Sequence, residues 1–186
     1  LLFRIAHGNA AKKGGKLDTA TYHKALQTQI STLSTLIAKY PGFEEIHGAW
    51  FARGKAYEEI GNKTSATNDY TYLVRHFPEA EQTSPAYMSL AEFAIEANNH
   101  PQAITYLKEV EKRPEDPHYP FALYKLAWSW YNLKDINKAL AYSEKQVAYY
   151  NTRFPESKGT KTDNAPVTSD LALKENTLLD VPVFYF

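Results

Sequence analysis

Residues 50–78 read WFARGKAYEEIGNKTSATNDYTYLVRHFP, and the spacing within them decides the fold. Small residues at Gly54 and Ala66 alternate with large ones at Trp50, Tyr57 and Tyr70. Two antiparallel helices approach closely only where one presents little side chain, and bulky neighbours then fill the space around the contact. Gly61-Asn62-Lys63 supplies turn residues between the two helices. Pro78 closes the second helix, since proline cannot continue one.

The block recurs. Turn residues at Gly61, Asn98 and Lys134 are each followed five positions later by alanine, at Ala66, Ala103 and Ala139. Those alanines are 37 and then 36 residues apart. A first helix lies upstream of each turn, carrying Trp50/Gly54/Tyr57, Tyr87/Ala91/Ala94 and Leu123/Ala127/Trp130. Apolar residues at helical spacing follow each turn: Tyr70/Leu73/Val74/Phe77, Tyr106/Leu107/Val110 and Leu140/Val147/Tyr150. Aromatic-proline pairs punctuate the array at Tyr40-Pro41, Phe77-Pro78 and Phe154-Pro155.

With Trp50, Gly54, Tyr57, Ala66, Tyr70 and Pro78 in place, the block resembles a tetratricopeptide repeat. The period is slightly above the roughly 34 residues usual for that repeat. Together with the aromatic-proline closure, it resembles the branch found in bacterial envelope proteins such as the Tol–Pal coordinator and the outer-membrane assembly lipoprotein. Longer solenoids of gliding predatory or social bacteria are similar. The resemblance covers residues 47 to about 155. It departs from the pattern at Ala94, where an aromatic is usual, and at Ser143 and Gln146, where apolar residues are usual. It implies an all-α, right-handed superhelical solenoid of antiparallel helix pairs with three to four repeats. It also implies a non-enzymatic scaffold that binds a peptide or protein partner in a concave groove, in a bacterial periplasm or cell envelope.

The expected domains are a solenoid over 1–165, a flexible loop over 156–167 and a C-terminal helix with an apolar tail over 168–186. Within the solenoid, 1–41 is an atypical first pair and 47–80, 84–117 and 120–155 are repeats. Residues 18–39 read as one helix capped by Asp18 or Thr19, with Leu26, Ile30, Leu33, Leu36 and Ile37 as its apolar stripe. The sequence given ends on Val183-Phe184-Tyr185-Phe186, a solubility liability if exposed. Val181, Val183, Phe184, Tyr185 and Phe186 either begin a further repeat or act as a self-binding tail that fills a groove, the chain's own or that of a neighbour in a homo-oligomer.

Composition narrows the function classes. The 186 residues include 21 basic and 21 acidic ones, so no basic excess points to nucleic acid. No apolar run reaches the ~18 residues of a membrane span, and direct membrane insertion is not expected. The absence of Cys removes disulfides, thiolate metal sites and a cysteine nucleophile. Histidines at 7, 23, 47, 76, 100 and 118 form no His-Glu-x-x-His or i, i+4 pair, and His76 and His100 read as solvated turn residues. Lys13-Gly14-Gly15-Lys16 lacks the remaining positions of a phosphate loop. Asn62-Lys63-Thr64 matches a glycosylation sequon, which chance explains at a helix turn. The carboxylate pairs Glu44-Glu45, Glu58-Glu59 and Glu109/Glu111 read as a solvated face rather than as acid and base in a closed cleft. No cofactor or metal is expected.

Helical geometry places a candidate groove beside the packing positions. Its residues are Phe51, Lys55 and Glu58, then Met88, Glu92 and Ile95, then Tyr124, Trp128 and Tyr131. Trp128 and Trp130 lie two apart and cannot share a helix face. If Trp130 packs inward, Trp128 faces the groove with Tyr124 and Tyr131, either to anchor a peptide or to pack beneath a neighbouring element. Lys55 and Glu92 would give the groove mixed charge. The competing function is an architectural spacer within a longer envelope or motility protein.

Overall fold

A computed structural model describes residues 19–153. The first part of the atypical 1–41 pair, the 156–167 loop and the C-terminal helix with its apolar tail lie outside the described residues. Among the described residues there are seven α-helices and no strand. They are α1 (Thr19–Lys39), α2 (Ile46–Glu59), α3 (Lys63–His76), α4 (Thr83–Glu96), α5 (His100–Glu111), α6 (Tyr119–Asn132) and α7 (Ile136–Arg153). The chain divides into two compact units, the first ending at Ala86 and the second beginning at Tyr87. Sequence neighbours pack on one another: α1 on α2 and α2 on α3 in the first unit, α5 on α6 and α6 on α7 in the second. This is the helix packing of a tetratricopeptide-like solenoid.

The turns inside each pair are built three times over. Gly61, Asn98 and Lys134 all have positive φ, at 79°, 56° and 64°. Such a residue ends the helix by turning the next amide back onto an unsatisfied carbonyl. Asn62 N–H accordingly donates to Tyr57 O, Asn99 N–H to Ala94 O and Asp135 N–H to Trp130 O. The same three residues cap the next helix. Asn62, Asn99 and Asp135 accept at their side-chain oxygens from the backbone N–H of Ser65, Gln102 and Lys138.

A second recurring turn joins one pair to the next. Backbone N–H groups of Phe43, Ala80 and Asp116 donate to the carbonyls of Tyr40, Phe77 and Arg113. Each of those three acceptors precedes a proline, at Pro41, Pro78 and Pro114. The register at 113 therefore holds Arg113-Pro114, which the aromatic-proline pattern had passed over.

Packing follows the tiny-and-bulky expectation. Ala66, Ala103 and Ala139 are all fully buried. A Cβ added to Gly54 would lie 2.6 Å from Tyr70 Cε1, so only glycine fits beneath that ring. One repeat on, the corresponding residues are Ala91 and Leu107; two repeats on, they are Ala127 and Ser143. As the second partner shrinks from Tyr to Leu to Ser, the first tolerates a methyl group. The polar departures are satisfied internally: Ser143 Oγ donates to Ala139 O, and buried Gln146 Nε2 donates to Pro120 O at 3.0 Å.

The structure corrects two expectations of solvation. His100 is buried at the start of α5 rather than solvated at a turn. Glu58 is half-buried and bonded rather than part of an open acidic face. His76, by contrast, is exposed in the last turn of α3, where its Nδ1 lies 2.9 Å from Tyr72 O.

Candidate functional site

In the first unit, three predicted positions share α2. Phe51 is half-buried and tilts against Tyr70 with ring centroids 5.8 Å apart. Lys55 Nζ lies 3.0 Å from Glu58 Oε2, and the Tyr70 hydroxyl donates to the same oxygen at 2.7 Å. Glu58 is thus drawn inward by a neighbour on its own helix and by the ring that fills the space at Gly54.

Beside this trio is an assembly that pattern reading missed. Arg53 donates through Nε and Nη2 to the two carboxylate oxygens of Asp69 at 2.8 and 2.7 Å, and through Nη1 to Ser34 Oγ at 3.0 Å. Its guanidinium also lies 4.8 Å from the centre of the Trp50 ring. The Asp69 bonds outweigh the cost of burial and hold the Arg53 pKa above its usual value. Asp69 is almost fully buried, so this fork joins α2 to α3 and reaches α1. The only signal in the sequence was an Arg and an Asp, each flanked by packing residues.

In the second unit, Met88 is buried in the core cluster with Leu107, Leu123 and Leu126, so it backs the surface rather than lining it. Ile95 is half-buried. Glu92 is exposed and its Oε1 meets Lys125 Nζ at 2.6 Å, tying α4 to α6. The expected mixed charge is therefore local to each unit: Lys55 answers Glu58, and Glu92 answers Lys125.

The three α6 aromatics form one connected set. Tyr124 and Trp128 meet edge to face at 6.5 Å and 69°, and Trp128 and Tyr131 at 5.5 Å and 82°. These are the favourable geometries for ring quadrupoles. All three remain half-buried. Asn132 Nδ2 donates to Trp128 O at 2.8 Å, and Lys134 Nζ lies 5.6 Å from the Tyr131 ring centre, finishing that end of the helix. Trp128 and Tyr131 also pack against the small cluster of Ala127 and Ala139. Trp130 takes the inward position and touches both core clusters of this unit.

The family model for the tetratricopeptide repeat matches residues 121–150. The helix pair α6–α7 is similar to that repeat. The match begins near the start of α6, crosses the Leu133–Asp135 turn and ends at the buried Tyr150 of α7. No curated protein matches the chain. Tetratricopeptide repeats generally build protein–protein interaction scaffolds and are typically non-enzymatic, which is the coarse function the match supports. Among the described residues, no group of three or more His, Asp or Glu could hold a metal ion, and no helix is long and apolar enough to cross a membrane.

Proposed function

We propose that this chain is a scaffold that holds an extended or helical segment of a partner polypeptide against the α4–α6 face of its second unit. The observation that carries this is the connected Tyr124–Trp128–Tyr131 set, half-open beside the Glu92–Lys125 pair. Large rings with few rotamers give contact area at low entropic cost, and aromatic anchors dominate peptide recognition. The neighbouring ion pair supplies one charge of each sign at the rim, suiting a polypeptide better than a phosphate polymer. The setting we infer is a bacterial periplasm or envelope, from the aromatic-proline closures at Tyr40-Pro41, Phe77-Pro78 and Phe154-Pro155. Self-association through Val181 and Val183–Phe186 belongs to the same proposal, since that apolar segment has the chemistry such a face would bind.

One observation favours the architectural spacer instead: Trp128 and Tyr131 also pack on Ala127 and Ala139, which a purely structural role would explain. Affinity recovery from the native cell separates the two. Replacing Tyr124 and Trp128 by Ala, with helix content unchanged, is expected to abolish recovery of a partner that the unaltered chain retains. Undiminished recovery supports the spacer. Light scattering of a chain truncated before residue 168 checks the tail, and an unchanged mass removes self-association.

A further inference from the structure

A recess in this unit opens among α5, α6 and α7, with a volume of about 480 Å³. Lys108 and Glu111 of α5, Trp130 of α6, and Lys138, Tyr142 and Lys145 of α7 line it. Three ammonium groups thus share a recess with one carboxylate, in a chain whose overall charge is zero.

That carboxylate is already engaged twice. Glu111 accepts from Lys145 Nζ and from the Tyr142 hydroxyl at 3.2 Å. Lys138 reaches Asp135 at 2.6 Å while its Nζ lies 4.0 Å from the Trp130 ring centre. Lys108 has no ion pair among the described residues. Burial and the Glu111 charge push the Tyr142 pKa up to about 12, so its hydroxyl keeps its proton at neutral pH.

We propose that this recess binds an acidic peptide segment, with a carboxylate side chain received by Lys108 and a neighbouring apolar side chain laid against Trp130 and Tyr142. Charge complementarity argues for the acid: three ammonium groups face one carboxylate that is already engaged, and the exposed Lys108 has no ion pair of its own among the described residues. The wall argues for a peptide rather than a bare anion, because a free phosphate offers no apolar group to the part of the recess that Trp130 and Tyr142 line. The volume falls within the range of small-ligand pockets, enough for a few side chains but not for a folded domain. This surface is independent of the Trp128 face, because residues two apart on α6 leave the helix on different sides.

The test follows the Trp130 indole N–H by NMR while adding acetyl-Glu-Leu-Glu-Leu-amide, its Gln-Leu-Gln-Leu counterpart, or sodium phosphate. A saturable shift with the acidic peptide alone is expected. It should weaken about tenfold in Lys108→Gln, the loss of one charge-assisted contact. It should persist in Lys112→Gln, an exposed lysine on the same chain, and in Trp128→Ala. No saturable shift, an equal shift with the neutral peptide, or an unchanged affinity in a folded Lys108→Gln would overturn the proposal. So would phosphate that reproduces the shift and displaces the peptide, which marks a free-anion site, or binding lost in Trp128→Ala, which places the peptide on the other face. Should Lys108→Gln fail to fold, the acidic and neutral peptides on the unaltered chain still decide.

Discussion

The helix pairs α2–α3 and α6–α7 carry the same skeleton and fill it in opposite ways. In α2–α3 the signature aromatics and glycine are present, and the interior adds a charged fork, Arg53 on Asp69, that ties three helices together. In α6–α7 the family model matches, yet two interior positions hold Ser143 and Gln146, each bonded to a backbone carbonyl. The aromatic mass has moved to the surface of α6, where three rings meet edge to face. Helix pairing therefore depends on complementary sizes, and it leaves the exposed side of each first helix free to diverge.

The largest effect that could break this contrast is at Arg53. Replacing it with Met strands the buried Asp69 carboxylate, at a cost of about 3–5 kcal/mol in urea unfolding. Changing both to Met and Leu is expected to recover most of the loss, because no buried charge is then left unpaired. A double variant as unstable as the single one would mean the fork is not the tie between α2 and α3.

Size complementarity comes next. Gly54→Ala gains up to about 1 kcal/mol of helix propensity but drives its methyl into the Tyr70 ring. That ring is fully buried and its hydroxyl is held by Glu58, so it cannot swing away freely. A net loss of about 1–2 kcal/mol is expected. Gly54→Ala with Tyr70→Leu copies the Ala91–Leu107 combination. Their coupling in a double-mutant cycle should be at least about 1 kcal/mol, and additivity would dismiss the pairing.

A smaller effect, of opposite sign, lies at the turns. Gly61 suits positive φ, whereas Lys134 adopts it at a steric cost. Lys134→Gly should stabilise by about 0.5 kcal/mol after loss of its contact with Tyr131. No gain in the urea midpoint would show that the turn is not strained.

The finest contrast is among the caps, which are Asn62, Asn99 and Asp135. Only the last can titrate. The Lys138 side chain, then its backbone N–H, hold the Asp135 carboxyl below the usual carboxylate range. A carboxyl lowered in the folded chain stabilises it above the unfolded pKa and loses that contribution as pH falls through the folded value. Acidification should therefore lower the protection of the Lys138 and Ala139 amides, taken relative to their intrinsic exchange rates at each pH, before that of Ser65 and Gln102, and Asp135→Asn should remove the difference.

Much of the helix pairing was legible in the sequence because it rests on local, repeating restrictions. Gly61, Asn98 and Lys134 mark turns, and Ala66, Ala103 and Ala139 mark crossings, at fixed spacing. What escaped was polar and non-local. Arg53 and Asp69 are 16 residues apart, and the spacing of the packing positions shows no link between them, although a bidentate pair joins them inside. Glu58 was misplaced for the same reason, since its burial depends on Tyr70 and Lys55, partners that periodicity does not show, whereas His100 is buried by its place at the start of α5. At the candidate face, two residues two apart on a helix cannot point one way, and Trp130 reaches both core clusters whereas Trp128 packs on Ala127 and Ala139. The burial of Met88 was not legible, since its neighbours come from other helices.

Urea unfolding of Trp128→Ala and Trp130→Ala, compared side by side, tests most directly whether packing and recognition have been separated along α6. Trp130 touches both core clusters, so its removal should cost about 3–5 kcal/mol, while Trp128→Ala should cost about 1 kcal/mol and leave a cooperative transition. Equal losses at the two positions would make Trp128 a packing residue and contradict a partner-binding face on this helix.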